Sequence, residues 1–297
     1  MDMRIAAVLA GIAWGLSACG GGSGDALTAN QNGALSIALT DAPVDGATKV
    51  VVKFTAIEVK PQGGNALTFD IPDRSIDLLT LAGGGSTTIL DGQTLPAGNY
   101  EWVRLLVAAQ QNTMDSFIEL NTGTQHPLFI PSGSESGLKL VRGFVIAAGG
   151  RTDFTIDFDL RQSIVAPPGQ APNYFLKPVL RLINNLQVGT IAGSVPTGLI
   201  PVGCTPFIYI FTGSSIVPDD IDPAPAPDVD PLASVPVLLD NAAGNYRFRV
   251  PFLEAGNYTA AFTCDGKLDA PDAEDTLRFS PAINFTVNAN QTVTIGF

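Results

Sequence analysis

The sequence predicts an all-β protein with two domains. Short apolar runs rich in Val, Ile, Phe and Thr recur along the chain, and Gly, Pro, Asn and Asp separate them. No helical period of useful length is present. Many short strands joined by turns are typical of sandwiches and barrels, so we expect two β-sandwich domains of the Ig-like or prealbumin-like kind.

The first domain is expected over residues 34–186, after a flexible Gly- and Ser-rich tether over residues 19–33. Its predicted strands cover residues 35–40, 50–60, 67–71, 100–107, 116–120, 138–146, 152–160 and 175–183.

Two of these strands carry finer information. In residues 50–60 the apolar positions change from even (Val52, Phe54) to odd (Ile57, Val59), which predicts a β-bulge near Ala56. In residues 152–160 apolar and polar side chains alternate. That alternation predicts an antiparallel strand with one solvent-exposed face.

The second domain is expected over residues 187–297, after a boundary near Asn185. Residues 217–236 are rich in Asp and Pro and are expected to form an exposed excursion. The turn before Tyr100, Leu-Pro-Ala-Gly-Asn-Tyr, is echoed by Leu-Glu-Ala-Gly-Asn-Tyr before Tyr258, and in each we expect the glycine to have positive φ. The predicted strands of this domain cover residues 188–195, 207–211, 246–250, 257–264, 282–287 and 292–297.

Charge is distributed unevenly. The net charge is −12, and residues 187–297 hold 12 acidic side chains against 4 basic ones. Such acidity argues against nucleic acid as a partner. No cofactor is indicated by any motif.

The amino terminus resembles a bacterial lipoprotein signal. An apolar run ends at Leu-Ser-Ala-Cys19, a sequence similar to the lipobox, and Gly and Ser follow it. The resemblance implies that residues 1–18 are removed and that Cys19 carries a lipid. Gly20 stands where an aspartate would retain an enteric lipoprotein at the inner membrane, so the resemblance implies the outer membrane. With Cys19 lipidated, Cys204 and Cys264 remain as a pair, and in an oxidising compartment we expect a disulfide between them.

A second resemblance covers the first domain. Leu-Thr-Asp41-Ala-Pro-Val-Asp45, Ile-Asp77-Leu-Leu, Ala-Gly-Asn-Tyr100 and Leu-Lys177-Pro-Val-Leu-Arg are similar to motifs, in the same order, of the bacterial lipoprotein family catalogued as domain of unknown function 4382. This resemblance implies a β-rich extracytoplasmic domain without catalytic residues. The second domain opens with Gly-Thr-Ile-Ala-Gly-Ser-Val (residues 189–195) and contains the Gly-Asn-Tyr turn, and on these motifs it resembles the small regulatory-type β-sandwiches found beside carboxypeptidase and surface-protein domains.

Candidate catalytic groups have structural explanations. His126, the only histidine, precedes Pro127 and is expected on a solvated loop. A glycosidase needs two carboxylates with separated pKa values beside one cleft. Asp157 with Asp159, or Asp41 with Asp45, are close enough in sequence. An exposed strand face explains the first pair, and a turn at Pro43 explains the second.

Two further features have a structural and a functional interpretation. Trp102 is expected to be a core aromatic, with sugar stacking as the alternative. The acidic segments 219–230 and 265–275 offer oxygen ligands for calcium but lack EF-hand spacing, so solvated loops are favoured and no metal site is predicted. We nevertheless expect the two segments to emerge close together.

These observations predict a lipid-anchored cell-envelope protein that acts as a non-catalytic binding, adhesion or structural module. Its expected partners are the membrane, through the anchor at Cys19, and an unidentified envelope protein or glycan on the periplasmic or surface face. The alternative is a carbohydrate-active enzyme that uses paired carboxylates.

Overall fold

The computed structural model describes residues 31–42, 46–130, 137–169, 172–177, 179–222, 229–271 and 273–297. The signal peptide, Cys19 and most of the tether lie outside these residues. Asn32 and Gly33, which the sequence assigned to the tether, already belong to the first strand. None of the helices in the described ranges is long and apolar enough to cross a membrane.

The N-terminal sandwich consists of two sheets. One has the order β13-β10-β1-β4, and the other has the order β11-β12-β7-β6-β2-β5-β8, with β3 added to β2 and β9 to β5. A single-turn helix, α1 (Leu160–Ser163), follows β10, and a 3₁₀ turn spans Leu78–Leu81. The strands are β1 (Asn32–Ala42), β2 (Ala47–Pro61), β3 (Leu67–Asp77), β4 (Thr87–Pro96), β5 (Gly98–Val107), β6 (Phe117–Leu120), β7 (Gln125–Phe129), β8 (Leu138–Leu140), β9 (Phe144–Ile146), β10 (Arg151–Asp159), β11 (Ile164–Val165), β12 (Tyr174–Leu176) and β13 (Leu180–Asn184).

The predicted bulge in β2 is confirmed. The pairing of β2 with both β3 and β5 shifts register between Phe54 and Ala56. Because of this shift, Phe54, Ala56, Ile57 and Val59 are all buried despite the change of phase. A single extra residue, Thr55, therefore keeps both halves of the strand facing the core.

The solvent-exposed face expected for β10 is wrong in its central part. Thr155 and Asp157 are buried, although they lie on the polar face. Asp157 accepts a hydrogen bond from Arg181 on β13, and β1, the other neighbour, contacts the C-terminal sandwich. In addition, β10 pairs antiparallel with β13 but parallel with β1. The side chains of Arg181 and Asn185, the second of which accepts a hydrogen bond from Thr155 Oγ1 at 2.8 Å, contact this polar face.

The C-terminal sandwich also has two sheets, β17-β18-β14-β21 and β16-β15-β19-β20. Its core includes Ile191, Ile208, Ile210, Phe248 and Phe262. The strands are β14 (Val188–Val195), β15 (Phe207–Thr212), β16 (Ala233–Pro236), β17 (Leu238–Asp240), β18 (Asn245–Glu254), β19 (Gly256–Thr263), β20 (Ile283–Val287) and β21 (Thr292–Gly296). The all-β class and the two sandwiches agree with the prediction.

In each sandwich a tyrosine hydroxyl forms a hydrogen bond to the backbone of the turn that precedes it. The hydroxyl of Tyr100 donates to the carbonyl of Pro96 at 2.9 Å, and that of Tyr258 donates to the carbonyl of Glu254 at 2.8 Å. The expected positive φ is present at Gly98, at 144°, but Gly256 does not adopt one. The echo in the sequence therefore encodes a tyrosine-to-backbone bond rather than a common glycine conformation.

Other boundaries differ from the prediction. Residues 138–146 and 175–183 were each expected to form one strand, and each contains two. Five strands of the described residues were not predicted at all, namely β4, β7, β11, β16 and β17. The described parts of the expected exposed excursion, residues 217–222 and 229–236, are not exposed throughout, because Asp220, Ile221 and Asp222 are buried and β16 begins at Ala233.

Candidate functional site

The disulfide expected between Cys204 and Cys264 is present, with the two Cα atoms 4.6 Å apart. Strands β15 and β19 position it. They pair antiparallel from Phe207 opposite Thr263, which brings Cys204, three residues before β15, close to Cys264, the residue that follows β19. The amide of Thr205 donates to the carbonyl of Cys264 at 2.9 Å and extends this pairing toward the bridge.

The two acidic segments meet on the outer face of the sheet that contains β15. They leave opposite ends of the antiparallel pair β15 and β19, but the first segment returns across the sheet. Ile216, three residues before this segment, and Ile221 within it pack on Phe207, Tyr209 and Phe211, the outward side chains of β15. Burial of these apolar side chains holds the returning segment against the sheet.

Direct hydrogen bonds join the segments. The amide of Ile221 donates to Asp269 Oδ1 at 3.2 Å, and the amide of Asp275 donates to Asp220 Oδ2 at 2.5 Å. Two sets of carboxylates lie with one oxygen of each residue within 4.8 Å of the others. The first set is Asp219, Asp220 and Asp222, and the second is Asp220, Asp269 and Asp275. We call all five residues the aspartate cluster.

The N-terminal sandwich contributes a buried cation to this region. Arg161, on α1, has a side chain that is only 3% exposed. Its Nη1 donates to Ser234 Oγ at 2.9 Å and to Asp269 Oδ2 at 3.1 Å, and it lies 3.3 Å from the hydroxyl of Tyr209. Its Nη2 donates to the carbonyls of Gly266 and Asp269, and its guanidinium lies 5.3 Å from the centre of the Phe207 ring.

Arg161 was not identified from the sequence. Its partners Tyr209 and Asp269 lie 48 and 108 residues further along the chain. No local pattern in residues 160–163 distinguishes a buried arginine from a solvated one. Only the packing of the two sandwiches against each other places its guanidinium among these acceptors.

Burial governs the protonation of several groups here. It raises the pKa of Asp269, opposed by hydrogen bonds and charge from Tyr209, Arg161 and Ile221, and it is also the main cause of the raised pKa of Tyr209. The pKa of Glu274 is raised first by its hydrogen bond to Asp222. By contrast, hydrogen bonds from Arg278 lower the pKa of Asp265, which receives them at 2.7 and 2.8 Å.

The first candidate acid pair, Asp157 with Asp159, serves the fold. Asp157 is held by Arg181, whereas Asp159 accepts hydrogen bonds from the Gln162 amide at 3.1 Å and the Gln162 side chain at 3.0 Å at the start of α1. Burial raises the pKa of Asp159. Asp41 is buried within β1, and Asp45 lies outside the described residues.

Two aromatic predictions require correction. His126 lies in β7 rather than on a loop; its ring is 5.2 Å from that of Tyr174, and its Nδ1 is 3.2 Å from the carbonyl oxygen of Pro172. Trp102 is half-buried and lies outside the core, with Arg104 and Lys139 at 4.8 and 4.6 Å from its ring. Successive side chains of β5 point to opposite faces of the sheet, so Val103 and Leu105 are buried in the core and Trp102 lies on the other face.

Among the solved structures that align with most of the chain are three bacterial proteins. They are the Bacillus anthracis TIE protein (11% identity, 90% of this chain, 34% of that chain, TM-score 0.20), a leucine-rich repeat protein from Bacteroides thetaiotaomicron (14%, 90%, 26%, 0.22) and GBS52, the minor pilin of Streptococcus agalactiae (10%, 88%, 94%, 0.21). The chain therefore spans about a third of the first protein and about a quarter of the second.

No curated protein matches the chain. The match to a family model covers just under half of it and corresponds to most of the N-terminal sandwich. Residues 32–178 match the family described as "Domain of unknown function (DUF4382)".

Proposed function

We propose that this chain is a non-catalytic binding, adhesion or structural module of the bacterial cell envelope, anchored by a lipid on Cys19. Its two domains span residues 34–186 and 187–297. The anchor lies in the outer membrane, and the partner is an envelope protein or a glycan.

The buried contact between the two sandwiches carries this proposal. Arg161 of the first sandwich is enclosed by acceptors of the second, and its ion pair with Asp269 is 3% and 0% exposed at the two side chains. Arg142 adds a second contact, donating to Glu254 at 2.6 Å and to the carbonyl of Leu182 at 2.7 Å. Such an interface fixes the relative orientation of the domains, which suits a module that spaces or presents a surface.

The disulfide supports an extracytoplasmic location, because such bonds persist mainly in oxidising compartments. The acid pairs support a non-catalytic role. Asp157 is engaged by Arg181 and Asp159 caps α1, so the pair that the sequence offered for glycosidase chemistry has a structural use. The carbohydrate-active alternative therefore loses this candidate pair.

Cell fractionation tests the anchor. In the Cys19→Ser variant we expect the protein to move from the membrane pellet to the soluble fraction, because the lipidated thiol is lost. Ser23→Ala, in the same Gly- and Ser-rich segment, should remain in the pellet and serves as the control. Retention of Cys19→Ser in the pellet to the same extent as the parent would contradict the anchor.

Incubation with a panel of polysaccharides separates the module from the enzyme. We expect retention of one glycan class, or of none, and no release of reducing ends. Crosslinking in cells should then identify an envelope partner. Release of reducing ends by the parent but not by Asp157→Asn would instead establish the carbohydrate-active alternative.

A further inference from the structure

The aspartate cluster concentrates negative charge in a small, largely buried volume. Asp219, Asp220 and Asp222 follow one another on the segment that returns across β15, and one oxygen of each lies within 4.8 Å of the others. Asp220 and Asp222 are buried, whereas Asp219 is half-buried. Asp275 adds a fourth carboxylate beside Asp220. Like charges at this separation repel strongly where water is excluded.

Asp220 has an oxygen with no partner. The residue is 1% exposed, and its Oδ2 accepts the amide of Asp275, but its Oδ1 is buried and accepts no hydrogen bond. A buried carboxylate oxygen without a partner is costly, and folded proteins rarely leave one unsatisfied. Asp220 is also the residue that both sets of carboxylates share. The unsatisfied atom thus belongs to the residue at the centre of the cluster.

Asp269 has a different use. Its Oδ2 receives hydrogen bonds from Tyr209 and Arg161, and its Oδ1 receives the amide of Ile221. Asp269 therefore connects the two sandwiches through the hydrogen bond that it accepts from Arg161.

We infer that Asp219, Asp220 and Asp222 bind a divalent cation, and that the ion is Ca²⁺. An ion placed about 2.3–2.6 Å from each ligand fits between oxygens that lie within 4.8 Å of one another. The ligands are all carboxylates, a set that favours hard cations over zinc or copper. Ca²⁺ accepts irregular oxygen geometry on loop segments, whereas Mg²⁺ demands a near-ideal octahedron. Binding would satisfy Asp220 Oδ1 and neutralise the repulsion.

The ion also acts on the contact between the domains. Ile221 lies between two of the ligands and donates its amide to Asp269, which holds Arg161. Fixing Asp220 and Asp222 on the ion therefore fixes the segment that supports Asp269. Calcium is expected to stabilise the joined state of the two sandwiches as well as the local segment.

Calcium titration of the full chain after removal of metal with EDTA tests this site. We expect one saturable site by calorimetry, and a melting temperature that rises with CaCl₂ more than with MgCl₂ or with NaCl of the same ionic strength. Asp220→Asn and Asp219→Asn should weaken calcium binding by about tenfold or more. The control Asp115→Asn, an exposed acid of the N-terminal sandwich that pairs with Lys53, should bind as the parent does.

The melting temperature of Asp220→Asn in EDTA shows whether this variant is folded. In EDTA it should melt at or above the temperature of the parent, because an unsatisfied buried charge has been removed, and in calcium the order should reverse. The proposal is overturned if calcium does not move the melting temperature of the parent, if NaCl reproduces the rise, or if Asp220→Asn retains the calcium response of Asp115→Asn.

Discussion

At the scale of single residues, the acidic side chains of the C-terminal sandwich differ in how water reaches their partners. Asp265 is buried, but its partner Arg278 has a side chain that is 83% exposed. Asp269 and its partner Arg161 are both enclosed. Solvent screens the pair of Asp265 and Arg278, and we expect its contribution to stability to change mainly with pH. The pair of Asp269 and Arg161 contributes only while the two domains remain in contact.

Acid titration of Asp265→Asn tests the first pair. Arg278 lowers the pKa of Asp265, so the folded value lies below the unfolded value of about 3.9. A lowered folded pKa contributes stability that is present above the unfolded value and is lost as pH falls through the folded value. The parent should therefore be more stable than Asp265→Asn at pH 7, and the difference should shrink below about pH 4.

Urea midpoints of both proteins between about pH 2 and 7 measure this difference. Asp115→Asn provides the comparison, since its pair with Lys53 joins half-exposed side chains. A difference between the parent and Asp265→Asn that grows on acidification would contradict the assignment.

At the scale of elements, a strand could be predicted from the sequence where its apolar side chains alternate with polar ones or change from even to odd positions. A strand that forms mainly because it pairs with neighbouring strands could not be predicted. The bulge of β2 follows from where Phe54 and Ile57 stand in the sequence. β4 contains Asp91-Gly92, a turn signature, yet it pairs with β1, and β7 contains Pro127 between two partner strands. In both cases long-range pairing overrides local preference.

Residues 217–236 show the same limit at the candidate site. The composition of this segment predicts solvation, but Ile221 packs on β15 and draws its acidic neighbours inward. The cysteine pair and the two acidic segments could be recognised from residue type alone. Arg161 could not, because its role depends on residues more than 40 positions away.

Gly193 in β14 is required by close packing, and its replacement tests that element. A Cβ at this position would lie 2.3 Å from the carbonyl oxygen of Ile295 and 2.4 Å from Phe248 Cζ. Gly193→Ala should therefore lower the free energy of unfolding by about 1–3 kcal/mol, the usual cost of overpacking. Gly198→Ala, where a Cβ would have no atom within 4 Å, is the matched control. Equal unfolding midpoints for the two variants would refute the packing role.

At the scale of the whole molecule, Arg161 couples two sandwiches that have separate cores. We expect the parent to unfold in one transition and Arg161→Met to unfold in two. Removing one partner leaves Asp269 buried without its cation, which costs about 3–5 kcal/mol. Calorimetry, with intrinsic fluorescence of Trp102 in the N-terminal sandwich as a second probe, resolves the transitions.

Arg151→Met is the control for this experiment. Arg151 pairs with Asp91 and Asp153, but its side chain is 57% exposed, so solvent screens both pairs and the unfolding midpoint should change little. A single transition in Arg161→Met, at the same midpoint as Arg151→Met, would show that the arginine does not couple the domains.

The position of β1 has a mechanical consequence. It lies inside its sheet, paired in parallel with β10 over nine residue pairs and antiparallel with β4 on its other side. A pull on Asn32 directed along the strand axis loads these backbone hydrogen bonds together in shear, instead of opening them one at a time as peeling would. If the chain is tethered ahead of Asn32, tension from a bound partner therefore loads β1 in shear, the geometry that resists force better than peeling does. Force spectroscopy with attachment at the two chain ends would measure this resistance directly.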